Sequence, residues 1–406
     1  MRQYCTAALI LIGLLCPAPA RAQGEIGAPD PAKVKVRLGP LWMNPMISMS
    51  NLGIDDNVFN DSPDLHPKQD FTLTVVPRTD LWLHMGRTWL VSTIDEELVW
   101  YQQYSSERAA NGRYSLGWRL PSTWVNVNVS AKYGRVHDRP GFEIDLRAPR
   151  KEVAYLGAIE GRIMSQTFVG VRAERLEVDF DEAAVFDGAN LHDELNHVTT
   201  NAALTFRHQL TALTSFEING SRSEDRFEFS PLRDSTSTAF GTIFTFDPFA
   251  LIKGTASVGY RNFRPESPDV PDYSGATMAL DLTYTLLGMT RFAVRGIRDV
   301  QYSYDVTQPY YVQTGIDGSV AQQIFGPLDV VFRFLEQRLA YRDRAGVPIE
   351  IADRTDSVHS LGVGLGYHLG KELRLGFNVD KVRRDSKVES RPYEGLKYGS
   401  SLTYGF

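Results

Sequence analysis

The last ten residues, Lys397-Tyr398-Gly399-Ser400-Ser401-Leu402-Thr403-Tyr404-Gly405-Phe406, decide the fold. They alternate by side. Tyr398, Leu402, Tyr404 and Phe406 share one face, and Lys397, Gly399, Ser401 and Thr403 share the other. A strand with this pattern has one oily face and one polar face. In a soluble protein the terminal Phe ring would sit in water. In a membrane barrel the same pattern turns apolar side chains to lipid and polar ones to the lumen.

The pattern recurs upstream. Met278, Leu280, Leu282, Tyr284 and Leu286 oppose Thr277, Ala279, Asp281, Thr283 and Thr285. Val125, Val127, Val129, Ala131 and Tyr133 oppose Asn126, Asn128, Ser130 and Lys132. Leu361, Val363, Leu365, Tyr367 and Leu369 oppose Gly362, Gly364, Gly366 and His368, and Leu373, Leu375, Phe377 and Val379 oppose Glu372, Arg374, Asn378 and Asp380. A one-residue slip there would carry Arg374 into lipid, at about 2–4 kcal/mol near the midplane.

Two kinds of connection join these segments. Tight ones fall at Gly86-Arg87, Pro121-Ser122, Ser165-Gln166, Gln209-Leu210, Asp247-Pro248, Gly288-Met289, Gly326-Pro327 and Gly370-Lys371. Longer polar ones run over Ile54–Lys68, Ser105–Asn111, His137–Arg147, Glu182–His192, Arg226–Arg233, Arg264–Pro271, Arg344–Arg354 and Asp385–Arg391; a further one, near Thr307, is short. Short turns at one end and longer loops at the other mark a transmembrane antiparallel up-and-down β-barrel, all-β, of about 18 strands with 16 as the alternative. Leu335 and Arg298 fall on the wrong face of their strands, which predicts β-bulges near the strand ends.

The N-terminus reads as a secretory signal over residues 1–22: Arg2, an apolar run from Ala7 to Cys16, then Ala20-Arg21-Ala22. Residues 23–40 form a periplasmic linker too short to plug a barrel, and 41–406 form the barrel. Both cysteines, Cys5 and Cys16, lie in the signal, so neither a disulfide framework nor a cysteine nucleophile is expected in the mature chain. Outside the signal there is no apolar run long enough for a membrane helix. Asp and Glu outnumber Lys and Arg, 49 to 43, which argues against nucleic acid as a partner.

Aromatics cluster near strand ends. Trp82, Trp89, Trp118, Trp124, Phe244, Phe246, Phe249 and Phe325 lie by tight turns. Trp100, Tyr101, Tyr104, Tyr133, Tyr260, Phe263, Tyr302, Tyr304, Tyr310 and Tyr311 lie by the longer loops. Two such sets are expected to form interfacial girdles.

A barrel of this width leaves an aqueous channel. Its predicted pore-lining charges are Lys132, Glu160, Arg162, Arg172, Glu174, Lys253, Arg261, Asp281, Arg295, Asp317, Glu372, Arg374 and Asp380. They either form an ion- and solute-permeable wall or pair across strands and only stabilise the barrel. The loop His137–Arg147 carries dense charge together with Phe142 and Ile144, which are unusual at a solvated tip. It is expected either to fold inward and narrow the channel, with Arg139, Glu143, Asp145 and Arg147 as an electrostatic filter, or to cap the rim. Asp55, Asp56, Asn57, Asn60 and Asp61 lack the spacing of a calcium loop. The histidines show no metal-ligand spacing, and no nucleophile–base pair stands out, so no catalytic site, metal or cofactor is expected.

The C-terminal strand resembles the assembly signal of bacterial outer-membrane proteins, with Gly399, Leu402, Tyr404 and Phe406 as its signature residues. Leu38-Gly39-Pro40 through Asn57-Val58-Phe59, Asp70-Phe71-Thr72 through Val76-Pro77, and Arg139–Asp145 resemble the putative β-barrel porin 2 family. That resemblance implies an integral outer-membrane barrel, in contact with lipid and with the barrel assembly machinery, and in some members an association with exopolysaccharide. The expected function is passive diffusion of small hydrophilic solutes, with both termini periplasmic. Exopolysaccharide export, or a structural or adhesive barrel without an open channel, are the alternatives.

Overall fold

The structure is a computed structural model and describes residues 34–246, 251–370 and 372–405. The signal segment, the Asp247-Pro248 turn, Phe249, Lys371 and Phe406 lie outside these residues. In chain order the strands are β1 Val36–Leu38, β2 Leu41–Asp55, β3 Asp70–Met85, β4 Thr88–Tyr101, β5 Ala109–Leu120, β6 Val125–Asp138 and β7 Ala148–Met164. Next come β8 Thr167–Phe180, the short β9 Val185–Phe186 and β10 Ala189–Asn190, β11 His197–Thr211, β12 Thr214–Phe227, β13 Ser235–Phe246 and β14 Ile252–Pro265. The last are β15 Tyr273–Leu286, β16 Thr290–Tyr302, β17 Tyr310–Phe325, β18 Leu328–Arg342, β19 Thr355–Leu369, β20 Leu373–Asp385 and β21 Tyr393–Tyr404.

β2–β8 and β11–β21 form one closed antiparallel barrel of 18 strands, each paired with its sequence neighbour and β21 closing onto β2. No helix among the described residues is long and apolar enough to cross a membrane. Along β19, Leu361, Val363, Leu365, Tyr367 and Leu369 are exposed on the outer face, while the glycines between them face inward. Leu204, Phe206, Phe240, Val258, Phe332 and Phe377 continue that apolar outer band on other strands. The period-two sequence pattern is thus the lipid–lumen boundary written along each strand.

Strand β1 lies within the segment expected as linker. It pairs with Leu41–Met43 and fills the wall below the point where β21 ends. The seam above it is tight. Gly53 stands opposite Gly399, Asn51 adopts a left-handed φ of 53° beside a register shift, and Lys397 Nζ meets Asp55 Oδ2 at 2.8 Å.

Three expectations need correction. The turn expected at Gln209-Leu210 lies at Ala212-Leu213, because a register shift between Gln209 and Thr211 lengthens β11. No bulge accompanies Leu335, whose ladders run unbroken; Arg298 keeps its ladder with β17 but stands where the β15–β16 ladder ends, and the register shifts lie instead near Asn51 and near the tight turns at 162–164, 209–211 and 323–325. Leu335 faces inward because an apolar partner, Phe142, meets it there.

The girdle expectation holds for only part of each aromatic set. Trp100, Trp118, Tyr133, Tyr260, Phe244 and Phe325 are exposed on the outside, and Trp124 is exposed in the turn before β6, beneath Arg162. Trp82 is instead buried on the inner face, in register with Trp42. Trp42 and Trp89 meet edge-on at 5.4 Å, His84 stacks on Trp89 at 4.3 Å, and Arg37 of β1 lies 4.8 Å over Trp42. These rings form a small inner core that anchors β1. Tyr101, Phe263, Tyr304, Tyr310 and Tyr311 are buried inside the loop end, for the reason given next.

Candidate functional site: an inward-folded constriction

Two elements leave the loop end of the wall and meet inside the barrel. The first is the loop 139–147. Phe142 packs against Leu335, Val358, Val382 and Tyr393, and against Tyr311, Leu339 and Tyr341, all on strands β17–β21 of the far side. Ile144 joins Ala148, Phe180, Leu191, Leu195, Phe227 and Tyr304 in a second cluster. The second element is the top of the β16–β17 hairpin. The β15–β16 ladder stops at Met278 and Arg298, although both strands continue beyond it. Val300, Tyr302, Tyr310 and Val312 then pack on Phe263 and Tyr273, and the Tyr302 ring meets Phe227 at 4.7 Å. The rings found buried rather than at the membrane interface belong largely to this inner packing.

Polar contacts lock the two elements together. Ser303 Oγ donates to Glu143 Oε1 at 2.6 Å. Arg233, with no exposed side-chain surface, donates from Nε to the Ser303 carbonyl at 2.8 Å and pairs with Glu194 through Nη1. Tyr310 donates to the Pro271 carbonyl at 2.7 Å, and Gln308 Nε2 donates to Asp343 Oδ1 at 2.6 Å.

Each filter candidate on the loop serves as an anchor. Arg139 donates from Nε to the Asp145 carbonyl at 2.6 Å and from Nη2 to the Val58 carbonyl at 2.8 Å. Arg147 donates to the Tyr101 hydroxyl at 2.7 Å and lies 3.5 Å from Glu107. Asp145 accepts from Arg384 Nη1 at 3.0 Å and from Asn60 Nδ2 at 3.0 Å. Arg384 also donates to the carbonyl of Phe142 at 3.0 Å and from Nη2 to Asp356 Oδ2 at 2.7 Å, while Arg391 Nη2 bonds the Glu143 carbonyl. Sequence reasoning missed Arg354, Asp356, Arg384 and Arg391. The available signal was that Arg384 shares the inward parity of Val382 and Asp380.

Complete burial pushes the Glu143 carboxyl above its ordinary range, against the pull of the Ser303 hydrogen bond and of Arg391, Arg354 and Arg384. An unfolded or undocked Glu titrates at about 4.3. Its contribution to docking is therefore complete below that value and is lost as pH rises through the raised one. Loop opening, read as current fluctuation, is expected to increase as pH rises above the ordinary carboxylate range. Glu143→Gln, which still accepts from Ser303, is expected to flatten that profile; an unchanged profile would refute this assignment.

Below the constriction several wall charges pair by reaching over one intervening strand, whereas Arg78 on β3 pairs with Asp95 on the adjacent β4. Glu160 on β7 meets Arg207 on β11 at 2.7 Å across β8, and Arg172 on β8 lies 3.7 Å from Glu217 on β12 across β11. Arg261 on β14 meets Asp299 on β16 at 3.1 Å. Arg333 on β18 meets Asp380 on β20 at 2.9 Å, and Asp329 on β18 meets Arg374 on β20 at 2.6 Å, both across β19. The β19 glycines form the floor for these bridges: a Cβ on Gly362 would lie 1.9 Å from Asp380 Oδ1, and one on Gly366 would lie 2.3 Å from Arg374 Nη2. The charges therefore lie flat on the wall. Asp281, Arg295 and Asp317 stand side by side in register on β15, β16 and β17.

The other predicted pore-lining residues are placed as follows. Arg162 bends to the turn, donating to the Met164 carbonyl at 3.2 Å and lying 5.7 Å over Trp124. Lys132 and Glu174 are half-buried on inward positions, and Lys253 is exposed near the turn end. Glu372 lies in the turn before β20, where its carbonyl accepts from Gly405 N at 2.9 Å. Gly399, Leu402 and Tyr404 lie in the closing strand, with Leu402 and Tyr404 outward. On the outer side of the constriction is a cavity of about 440 Å³ whose lining includes Asp187, Glu194, Asp305, Glu350, Gln308 and Arg354.

A closed barrel with an oily outer band, a charged inner wall and an inward-folded loop defines a porin-type outer-membrane barrel. The family model of putative β-barrel porin 2 matches residues 30–405, and the chain belongs to that family. No curated protein matches the chain. Among solved structures, a BenF-like porin from Pseudomonas fluorescens is similar at 11% identity, covering 91% of this chain and 100% of that one, with a TM-score of 0.48. OccK2 (OpdF) of Pseudomonas aeruginosa is 11% identical over 90% of this chain and 98% of that one, with a TM-score of 0.46. A bacterial polysaccharide outer membrane secretin is 9% identical over 90% and 98%, with a TM-score of 0.33. At such identities the likeness concerns the fold alone.

Proposed function

We propose that this barrel is a channel for small hydrophilic solutes, with both termini and the tight turns in the periplasm and the longer loops at the cell surface. Lipid surrounds its outer band, and the barrel assembly machinery engages the closing strand before β21 meets β2. The observation that carries the reading is the charged wall beneath the constriction, where the β19 glycines leave room for paired charges to lie against the sheet. Solutes pass by diffusion along that wall. Because each of these charges faces an opposite one, ion preference is expected to be weak.

Single-channel recording with the folded, purified protein tests this. Discrete current steps with little preference between cation and anion are expected; silence at every voltage would remove the channel reading. The interlocked loop end favours a second reading, a structural barrel with no standing open pathway. Silence in recording, together with exclusion of small neutral sugars from liposomes, would establish that reading instead.

A further inference from the structure

Three arginines on the side facing the loop, Arg354, Arg384 and Arg391, have side chains no more than 5% exposed. Arg354 immediately precedes β19, Arg384 lies near the end of β20, and Arg391 lies in the loop before β21. They converge on a few oxygens. Arg384 and Arg391 approach Asp145 Oδ2 at 3.0 and 3.7 Å, and Arg354 and Arg384 each meet Asp356 Oδ2 at 2.7 Å.

Asp356 is the carboxylate that the wall itself brings to Arg354 and Arg384. The remaining acids, Glu143 and Asp145, arrive on the loop, and burial shifts Glu143 toward its neutral form. Even with the loop docked, Nε of Arg384 and Nε of Arg391 have no acceptor among the described residues, and neither does the Tyr341 hydroxyl beside them. A buried guanidinium without a counter-ion is costly, so the cluster requires an anion whenever the loop departs. Guanidinium groups take planar carboxylates by paired N–H donation, the manner in which Arg354 already holds Asp356.

We propose that Arg354, Arg384 and Arg391 form a binding site for a carboxylate-bearing solute, and that Asp145 occupies it here as a tethered stand-in. A solute that binds there displaces the loop. Being tethered, Asp145 competes at high effective concentration, so the site shows itself to free ligand only when that anchor is weakened. The role in transport rests on the channel reading, but the binding does not, so calorimetry is the discriminating measurement.

The test titrates succinate into the full-length protein in detergent, at matched ionic strength in chloride. Asp145→Asn is expected to bind saturably and at least tenfold more tightly than wild type. Adding Arg391→Gln to that variant is expected to abolish binding. Asn60→Ala, which loosens Asp145 without touching an arginine, should shift affinity in the same direction by less, and serves if Asp145→Asn fails to fold. Folded variants that bind no better than wild type, or binding that survives Arg391→Gln, would overturn the proposal.

Discussion

Arg384→Ala is expected to undock the loop 139–147 and raise the time-averaged conductance more than any other single substitution. This side chain holds the carbonyl of Phe142, the carboxylate of Asp145 and the carboxylate of Asp356 at once, with none of its own surface exposed. Removing one partner of a buried, hydrogen-bonded ion pair costs about 3–5 kcal/mol, which moves a docking equilibrium by roughly a hundredfold or more. The loss falls on the loop because β20 keeps its ladder with β19 and β21. Phe142, Arg391 and the Ser303–Glu143 hydrogen bond then remain to hold the loop. Larger and longer current steps, with unchanged heat stability of the barrel, are the expected record. A wild-type trace would mean that Arg384 does not hold the constriction.

The second large effect concerns closure. Gly53→Ala is expected to impair folding severely, because a Cβ there would lie 2.0 Å from the Tyr398 carbonyl oxygen and 2.4 Å from the Gly399 Cα. Both are backbone atoms of the closing strand, so neither can swing aside. Overpacking typically costs about 1–3 kcal/mol, and a seam that cannot relax lies at or beyond the upper end. Gly362→Ala is the contrast. Its Cβ meets the carboxylate tip of Asp380, which can lift from the wall, so a folded barrel with a narrower, more charge-selective lumen is expected. Urea midpoints and folded yield distinguish the two; equal behaviour would show that backbone contact at the seam is not limiting.

Fold and constriction differ in how far the sequence reveals them. The alternation in β15, β19 and β21 is visible because lipid imposes it on every residue pair, so it needs no knowledge of the neighbouring strand. The inward charges were visible for the same reason: Glu160, Arg172, Arg261, Arg374 and Asp380 all lie on inward positions of their strands. Their partners were not. Each pair skips a strand, so the residues that meet, such as Asp329 and Arg374, are far apart in the chain and share no local pattern. Phe142 and Ile144 gave a real signal of burial, whereas Leu335 looked like a bulge until Phe142 stood against it. The aromatics misled because the preference of tyrosine for a membrane interface and its preference for a packed mouth produce the same placement near strand ends. Tyr133 and Tyr260 face outward, but Tyr310 and Tyr311 turn in with their hairpin.

By itself, the sequence determined a barrel of this size and which side of each strand is wet, because contact with lipid is a one-residue property read at every second position. The tertiary structure alone decided that the mouth is filled, that the charged loop residues are anchors, and that Arg354, Arg384 and Arg391 converge on Asp145 and Asp356. Those outcomes depend on side chains from opposite sides of the barrel meeting in space. No local periodicity encodes such a meeting.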